Sequence, residues 1–133
     1  MARIYEAFGR GNVPAILDSL DDDVSWDEGI RDTGIPYLLP GRGSEHVVGF
    51  FQRVAATLEL TQFDLGPLCD GGDVVMVSVM QAARIVGGGE NPPNIEAHVW
   101  TFNDAGTVTS FRHAGDWALH EQAAAWVTGK PFG

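Results

Sequence analysis

The chain has 133 residues, 44% of them hydrophobic, which suits one compact domain over residues 1–133 with a core of its own. Its 18 Asp and Glu against 8 Lys and Arg give a formal net charge of -10, which repels phosphate backbones and anionic lipid heads and excludes nucleic acid and membrane surfaces as expected partners. The lone Cys69 forms no intrachain disulfide, no Cys/His spacing suggests structural zinc, and no apolar run reaches membrane-spanning length, so a soluble cytoplasmic protein is expected.

Ile4, Tyr5 and Phe8 recur at helical spacing and predict a short first helix, interrupted by Gly9 and Gly11. Asn12 is the expected N-cap of a second helix, with Pro14 in its first turn and Val13, Ile16, Leu17 and Leu20 as its apolar stripe. Asp21, Asp22 and Asp23 are expected to end it as a solvated turn. Residues 24–27 read as a brief strand that finishes with the carboxylate of Asp27 beside the bulky Trp26. Residues 28–43 carry Gly29, Gly34, Pro36, Pro40, Gly41 and Gly43 and predict a loop. Its Ile35, Tyr37, Leu38 and Leu39 are too apolar to be wholly solvated, so the loop is a candidate lid or pocket rim.

Ser44 is the expected N-cap of a helix running to about Leu58, whose broad apolar face includes Phe50 and Phe51, as for a helix laid across a sheet. Residues 59–68 predict a strand with a break at Gly66 and Pro67, and residues 70–73 a turn. Residues 74–86 form the longest strand-like run; being apolar on both faces, it is expected to be covered on both. Gly87, Gly88 and Gly89 with Pro92 and Pro93 read as a flexible connection, and no Lys-Ser/Thr pair makes them a phosphate loop. Residues 95–102 and 107–113 have strand composition and are joined by Asn103, Asp104 and Gly106, which signals a β-hairpin. Residues 119–127 have helical composition, and residues 128–133 predict a loose tail.

Strand side chains alternate between faces, so Glu96, His98, Trp100 and Phe102 share one side of the first hairpin strand, and Phe111 and His113 share one side of the second. Each histidine alone reads equally as a packed strand residue, but two on neighbouring strands, each flanked by aromatics at the same parity, are expected to look into one cavity. Helices followed by a run of strands argue for an α+β fold: a curved antiparallel β-sheet wrapped around the N-terminal helices to form a cone with an internal pocket.

The phrases YEAFGRGNVPAILDSLDDDVSWD, IPYLLPGRGSEHVVGFF, DGGDVVMV and EAHVWTFNDAGTVTSFRHAGD, in this order, resemble the nuclear transport factor 2-like superfamily, and particularly its SnoaL-like and ketosteroid-isomerase-like branches, over nearly the whole chain. The resemblance implies the cone fold and a homodimer formed through the open face of the sheet. It places Asp27 where ketosteroid isomerases have their general-base aspartate, and His98 where they have the protonated aspartate that hydrogen-bonds the developing oxyanion. Their tyrosine donor falls at about Ile4, which leaves Tyr5 one position off and on another side of the helix. His113 matches a strand position from which limonene-epoxide-hydrolase-like members project an acidic catalytic residue, whereas their accompanying Arg and Asp on the long central strand have no evident counterpart here, where Ser78 and Met80 lie nearby. Asp116 reads as the N-cap of a final helix beginning at Trp117 or, as in SnoaL-like cyclases, as an acid-base aspartate near that end of the barrel.

A carboxylate beside an indole loses water and becomes a stronger base, and a nearby imidazole can donate to an oxygen that gains charge. Asp27, His98 and His113 therefore suit proton transfer in a dry cavity without metal or organic cofactor, with Trp26, Tyr37, Phe50, Trp100 and Phe111 as the substrate-binding wall. In the other reading Asp27 caps the strand end or pairs with Arg31. The expected function is a cofactor-independent isomerase or cyclase acting on a small hydrophobic carbonyl compound, steroid-like or polyketide-like. The alternative is a non-catalytic module of the same fold that binds a hydrophobic ligand or serves in assembly.

Overall fold

The computed structural model describes residues 2–29, 35 and 37–115, so Arg31, Asp116 and the expected helix and tail after it lie outside the described residues. In chain order the elements are α1 (Ala2–Gly9), α2 (Val13–Leu17), β1 (Leu20–Trp26), β2 (Gly41–Arg42), α3 (Ser44–Thr57), β3 (Leu58–Asp70), β4 (Val74–Ile85), β5 (Glu90–Phe102) and β6 (Val108–Ala114). The strands make one curved sheet in the order β2-β1-β6-β5-β4-β3, antiparallel throughout except for the parallel pair β1 and β6. The helices lie on its concave side, which is the expected α+β cone. Among the described residues no helix is long and apolar enough to cross a membrane.

Local chemistry explains most of the boundaries. Asn12 caps α2 as expected: its side chain accepts from the Ala15 N–H at 3.3 Å, and Pro14 sits in the first turn. The helix stops at Leu17, however, and Asp21 to Asp23 belong to β1 rather than to a turn. The register with β6 shifts between Leu20 and Ser25, so the strand bulges there. Leu20, Val24 and Trp26 stay buried while Asp22 and Asp23 stand in solvent, which is how a sheet tolerates three consecutive carboxylates. The N-cap position of α3 is Gly43, at φ 93°, and not Ser44; glycine enters the left-handed region without steric cost.

The prolines are accommodated at edges. β3 is the last strand of the sheet and runs through Gly66 and Pro67 without breaking, because a register shift between Leu65 and Leu68 absorbs them. Gly66 lies against Ser78, whose carbonyl oxygen would be 3.2 Å from an added Cβ. β5 begins at Glu90 and includes Pro92 and Pro93, expected above as a flexible connection. β6 pairs with β5 only from Ala97 onward, so among the described residues these prolines meet no ladder partner on that side. On β4, Val75, Val77 and Val79 face the core, whereas Met76 on the other face is 50% exposed.

The core fills the cone with stacked aromatics. Trp26 packs on Phe111 at 4.3 Å between ring centroids, and Trp100 packs on the same ring at 4.5 Å. Ile35, Tyr37 and Leu38 form a second cluster with Val54 and Leu58, tying the loop after β1 to α3 and making it one rim of the interior.

Candidate active site

The end of β1 lies beside the middle of β6, with Trp26 opposite Phe111 in parallel register. The Asp27 N–H donates to the Phe111 carbonyl at 2.8 Å, and the residue then turns into the left-handed region at φ 54°. Few non-glycine residues do so, and aspartate is among those that tolerate it best. The turn brings the carboxylate back onto β6. Its Oδ1 accepts from the His113 backbone N–H at 2.8 Å, and its Oδ2 lies 2.7 Å from His113 Nδ1. Asp27 is 1% exposed and lies behind His113, outside the cavity lining, so a ligand meets the imidazole and not the carboxylate.

A carboxylate at hydrogen-bond distance fixes the proton on Nδ1, which makes Nε2 the ring nitrogen on the side away from Asp27. Burial disfavours the charged imidazolium of His113, but the hydrogen bond and charge of Asp27, with the charge of Glu96 adding, outweigh it and raise its pKa above the ordinary 6.5. His113 is thus a base whose protonated form its surroundings favour over that of an ordinary imidazole.

His98 stands directly across the ladder from His113, with ring centroids 6.2 Å apart and planes nearly perpendicular. Its Nδ1 is 2.7 Å from the Tyr5 hydroxyl, which also accepts from Trp100 Nε1 at 3.0 Å. The indole N–H already donates to this oxygen, so the phenol's one hydrogen is satisfied by donation to His98 Nδ1 in the neutral tautomer that carries its own hydrogen on Nε2. Burial, partly offset by the hydrogen bond from Trp100, raises the Tyr5 pKa to about 12, so the phenol keeps that proton at neutral pH. His98 Nε2 lies 3.6 Å from Glu96 Oε2, too far for a hydrogen bond. The other Glu96 oxygen accepts from Gln81 Nε2 at 2.6 Å. Burial and the charge of Glu96 raise the pKa of Tyr37 and keep it a neutral phenol.

These groups meet on the wall of one cavity of about 100 Å³. Its polar side is made by Tyr5, Tyr37, Gln81, Glu96, His98 and His113, and the rest by apolar side chains from α1, α3 and β3 such as Phe8, Phe51 and Phe63. Of the residues singled out in the sequence, His98, His113, Trp26, Tyr37, Phe50, Trp100 and Phe111 line the cavity, Asp27 stands behind it, and Asp116 lies outside the described residues. Tyr5, placed on another side of α1 by the sequence, in fact faces the cavity and His98. Glu96 and Gln81 were not singled out, although each shares its strand parity with inward residues, and a polar side chain on an otherwise apolar inner face was the signal available. Among the described residues no three His, Cys, Asp or Glu side chains converge on a point where a metal ion could be held.

The geometry can be set beside known proteins. The fold is similar to that of a nuclear transport factor 2-like protein of unknown function from Burkholderia pseudomallei, 24% identical, with 92% of each chain covered and a TM-score of 0.79. A nuclear transport factor 2-like protein from Burkholderia thailandensis is 27% identical over 92% of each chain, with a TM-score of 0.78. TerC, crystallised with polyporic acid, is 21% identical over 92% of this chain and 93% of its own, with a TM-score of 0.77. No curated protein matches the chain. The family model described as the SnoaL-like domain matches residues 1–111, so the chain belongs to the SnoaL-like domain family of the nuclear transport factor 2-like superfamily.

Proposed function

We propose that this protein is a cofactor-independent isomerase or cyclase that moves a proton on a small, hydrophobic carbonyl compound. The observation that carries this reading is the imidazole of His113, held by Asp27 at 2.7 Å, on the wall of a largely apolar cavity that also contains His98. In the neutral state His113 Nε2 takes a proton from the carbon next to the carbonyl. The oxygen that gains charge accepts a hydrogen bond from His98 Nε2–H, whose tautomer Tyr5 fixes. Return of the proton from His113 to another carbon completes an isomerisation, and attack of the enolate on a second carbonyl completes an aldol-type cyclisation. Asp27 acts through His113 and is a positioning residue.

The cavity, about 100 Å³ and lined mainly by apolar side chains, supports a small hydrophobic substrate. TerC's crystallisation with polyporic acid supports a small organic ligand for this fold. The lone Cys69 fits a cytoplasmic setting.

Cyclohexanone in heavy water provides the test, with proton NMR following loss of the hydrogens next to its carbonyl. The protein is expected to accelerate the exchange over buffer, and His113→Gln to remove at least about a hundredfold of that acceleration. Cyclohexanone binding with no acceleration would sink the enzymatic reading and leave the non-catalytic binding module.

A homodimer belongs to the same proposal. Met76 and Ile95, 50% and 61% exposed, lie on the outer sheet face and make it too apolar to be left in water. Sedimentation at micromolar concentration is expected to give a dimer, and a monomer alone would remove that part.

A further inference from the structure

Asp27 reaches His113 from a backbone that turns into the left-handed region at φ 54°. A non-glycine residue keeps such a conformation where the structure around it over-determines it. On the strand side the Asp27 N–H is bonded to the Phe111 carbonyl at 2.8 Å, and Trp26 is paired with both Phe111 and Gly41. On the loop side the next residue, Glu28, is met by Arg42.

Arg42 stands opposite Ser25 in the pairing of β2 with β1, and its guanidinium reaches along β1 in both directions. Nη1 donates to the Asp23 carbonyl at 3.2 Å and lies 3.4 Å from Asp23 Oδ2. Nη2 lies 2.8 Å from Glu28 Oε1. The two nitrogens of one planar fork thus hold the strand end on both sides of Asp27, which a single ammonium on a flexible stem cannot do. The Arg42 side chain is 52% exposed and that of Glu28 39%, so these ion pairs add little to stability. What they fix is the path of the backbone through Asp27.

We propose that Arg42 is a positioning residue for the proton-transfer site: by tying Glu28 to Asp23 it fixes the turn at Asp27 that lays the carboxylate on His113. Its functional meaning rests on the acid-base reading, whereas its test needs only the contact between Asp27 and His113. Among the described residues, Asp27 from the end of β1 and Glu96 and His98 from β5 are the titratable groups that act on or touch His113. Arg42 is not one of them, so its influence on the imidazole runs through Asp27.

The two routes by which Arg42 could act differ in sign. Through space, a guanidinium disfavours a second cation, so its removal raises the titration midpoint of His113. Through Asp27, its removal loosens the contact that favours the imidazolium and lowers that midpoint.

Long-range proton-nitrogen NMR of His113 in the full chain, followed with pH, makes the test. Arg42→Met is expected to lower the midpoint by at least about 0.3 pH units, and Arg42→Lys, which keeps the charge but not the fork, to lower it as well. If the methionine variant does not fold, the lysine variant decides. In an Asp27→Asn chain the route is gone, and Arg42→Met is expected to cause no further fall. A midpoint unmoved or raised by Arg42→Met would overturn the proposal. So would a wild-type midpoint in Arg42→Lys, or an equal fall with and without the Asp27 carboxylate. Because the readout is the resting protein, these shifts without any exchange at cyclohexanone would retain this inference while the acid-base reading fails.

Discussion

Asp27→Asn is expected to slow hydrogen exchange at cyclohexanone by at least about a hundredfold and to move the pH midpoint of that exchange downward. The substitution keeps size and leaves Oδ1 able to accept from the His113 N–H at 2.8 Å, so the backbone of β6 has no reason to move. What changes is the group facing Nδ1 at 2.7 Å. An amide nitrogen placed there donates, drives the imidazole to the tautomer with its hydrogen on Nε2, and removes the lone pair that takes the substrate proton; in a serine protease the corresponding change costs about 10⁴-fold. The pH effect follows from the same contact. Exchange needs neutral His113, so in wild type the rate rises with pH through a midpoint above 6.5. Asp27→Asn deletes the hydrogen bond and charge that raise this pKa, and burial then pulls it down. Stability carries the opposite sign. A histidine with a raised folded pKa stabilises fully below its unfolded value and loses that contribution as pH rises through the folded one. The stability lost in Asp27→Asn should therefore be larger below about pH 6.5 than at a pH above the folded midpoint of His113. A variant with wild-type exchange and an unmoved midpoint would show that Asp27 does not govern His113.

Trp26→Ala is expected to destabilise the fold by about 3–5 kcal/mol in urea denaturation. The indole is 2% exposed and meets Phe111 at 4.3 Å, Phe50 at 5.3 Å and Trp100 at 6.1 Å between centroids. No neighbour can fill the space it leaves, because those rings come from α3, β5 and β6 and are each held by their own element. The residue also borders the cavity, so truncation enlarges the binding space while it weakens the walls. A loss below about 1 kcal/mol would mean that this aromatic stack is not the centre of the core.

The alternation along β5 and β6 made His98 and His113 legible as partners, since a period of two is a property of the strand itself, and the structure sets them directly opposite each other. The relation of Asp27 to His113 was not legible. It joins residues 86 positions apart through a positive φ at a strand end, and no local pattern reports either the turn or the parallel pairing that makes it useful. Tyr5 was misplaced for a related reason: one residue of offset on a helix rotates a side chain by about 100° only relative to its own axis, and the docking of α1 on the sheet brought Tyr5 to His98 nonetheless. Pro92 and Pro93 argued against a strand on propensity, and the sheet overrode them because among the described residues β6 does not pair with them. Glu96 lay in plain view on the same strand face as His98, and the structure places it on the cavity wall.

The state of His113 decides the account most directly. Long-range proton-nitrogen NMR of the ring nitrogens, followed from about pH 5 to about pH 9, reads both the tautomer and the titration midpoint of this residue. The structure predicts the hydrogen of the neutral ring on Nδ1, toward Asp27, and a midpoint above 6.5. A neutral ring protonated on Nε2, or a midpoint below 6.5, would contradict the claim that Asp27 holds His113 as the proton carrier of the cavity.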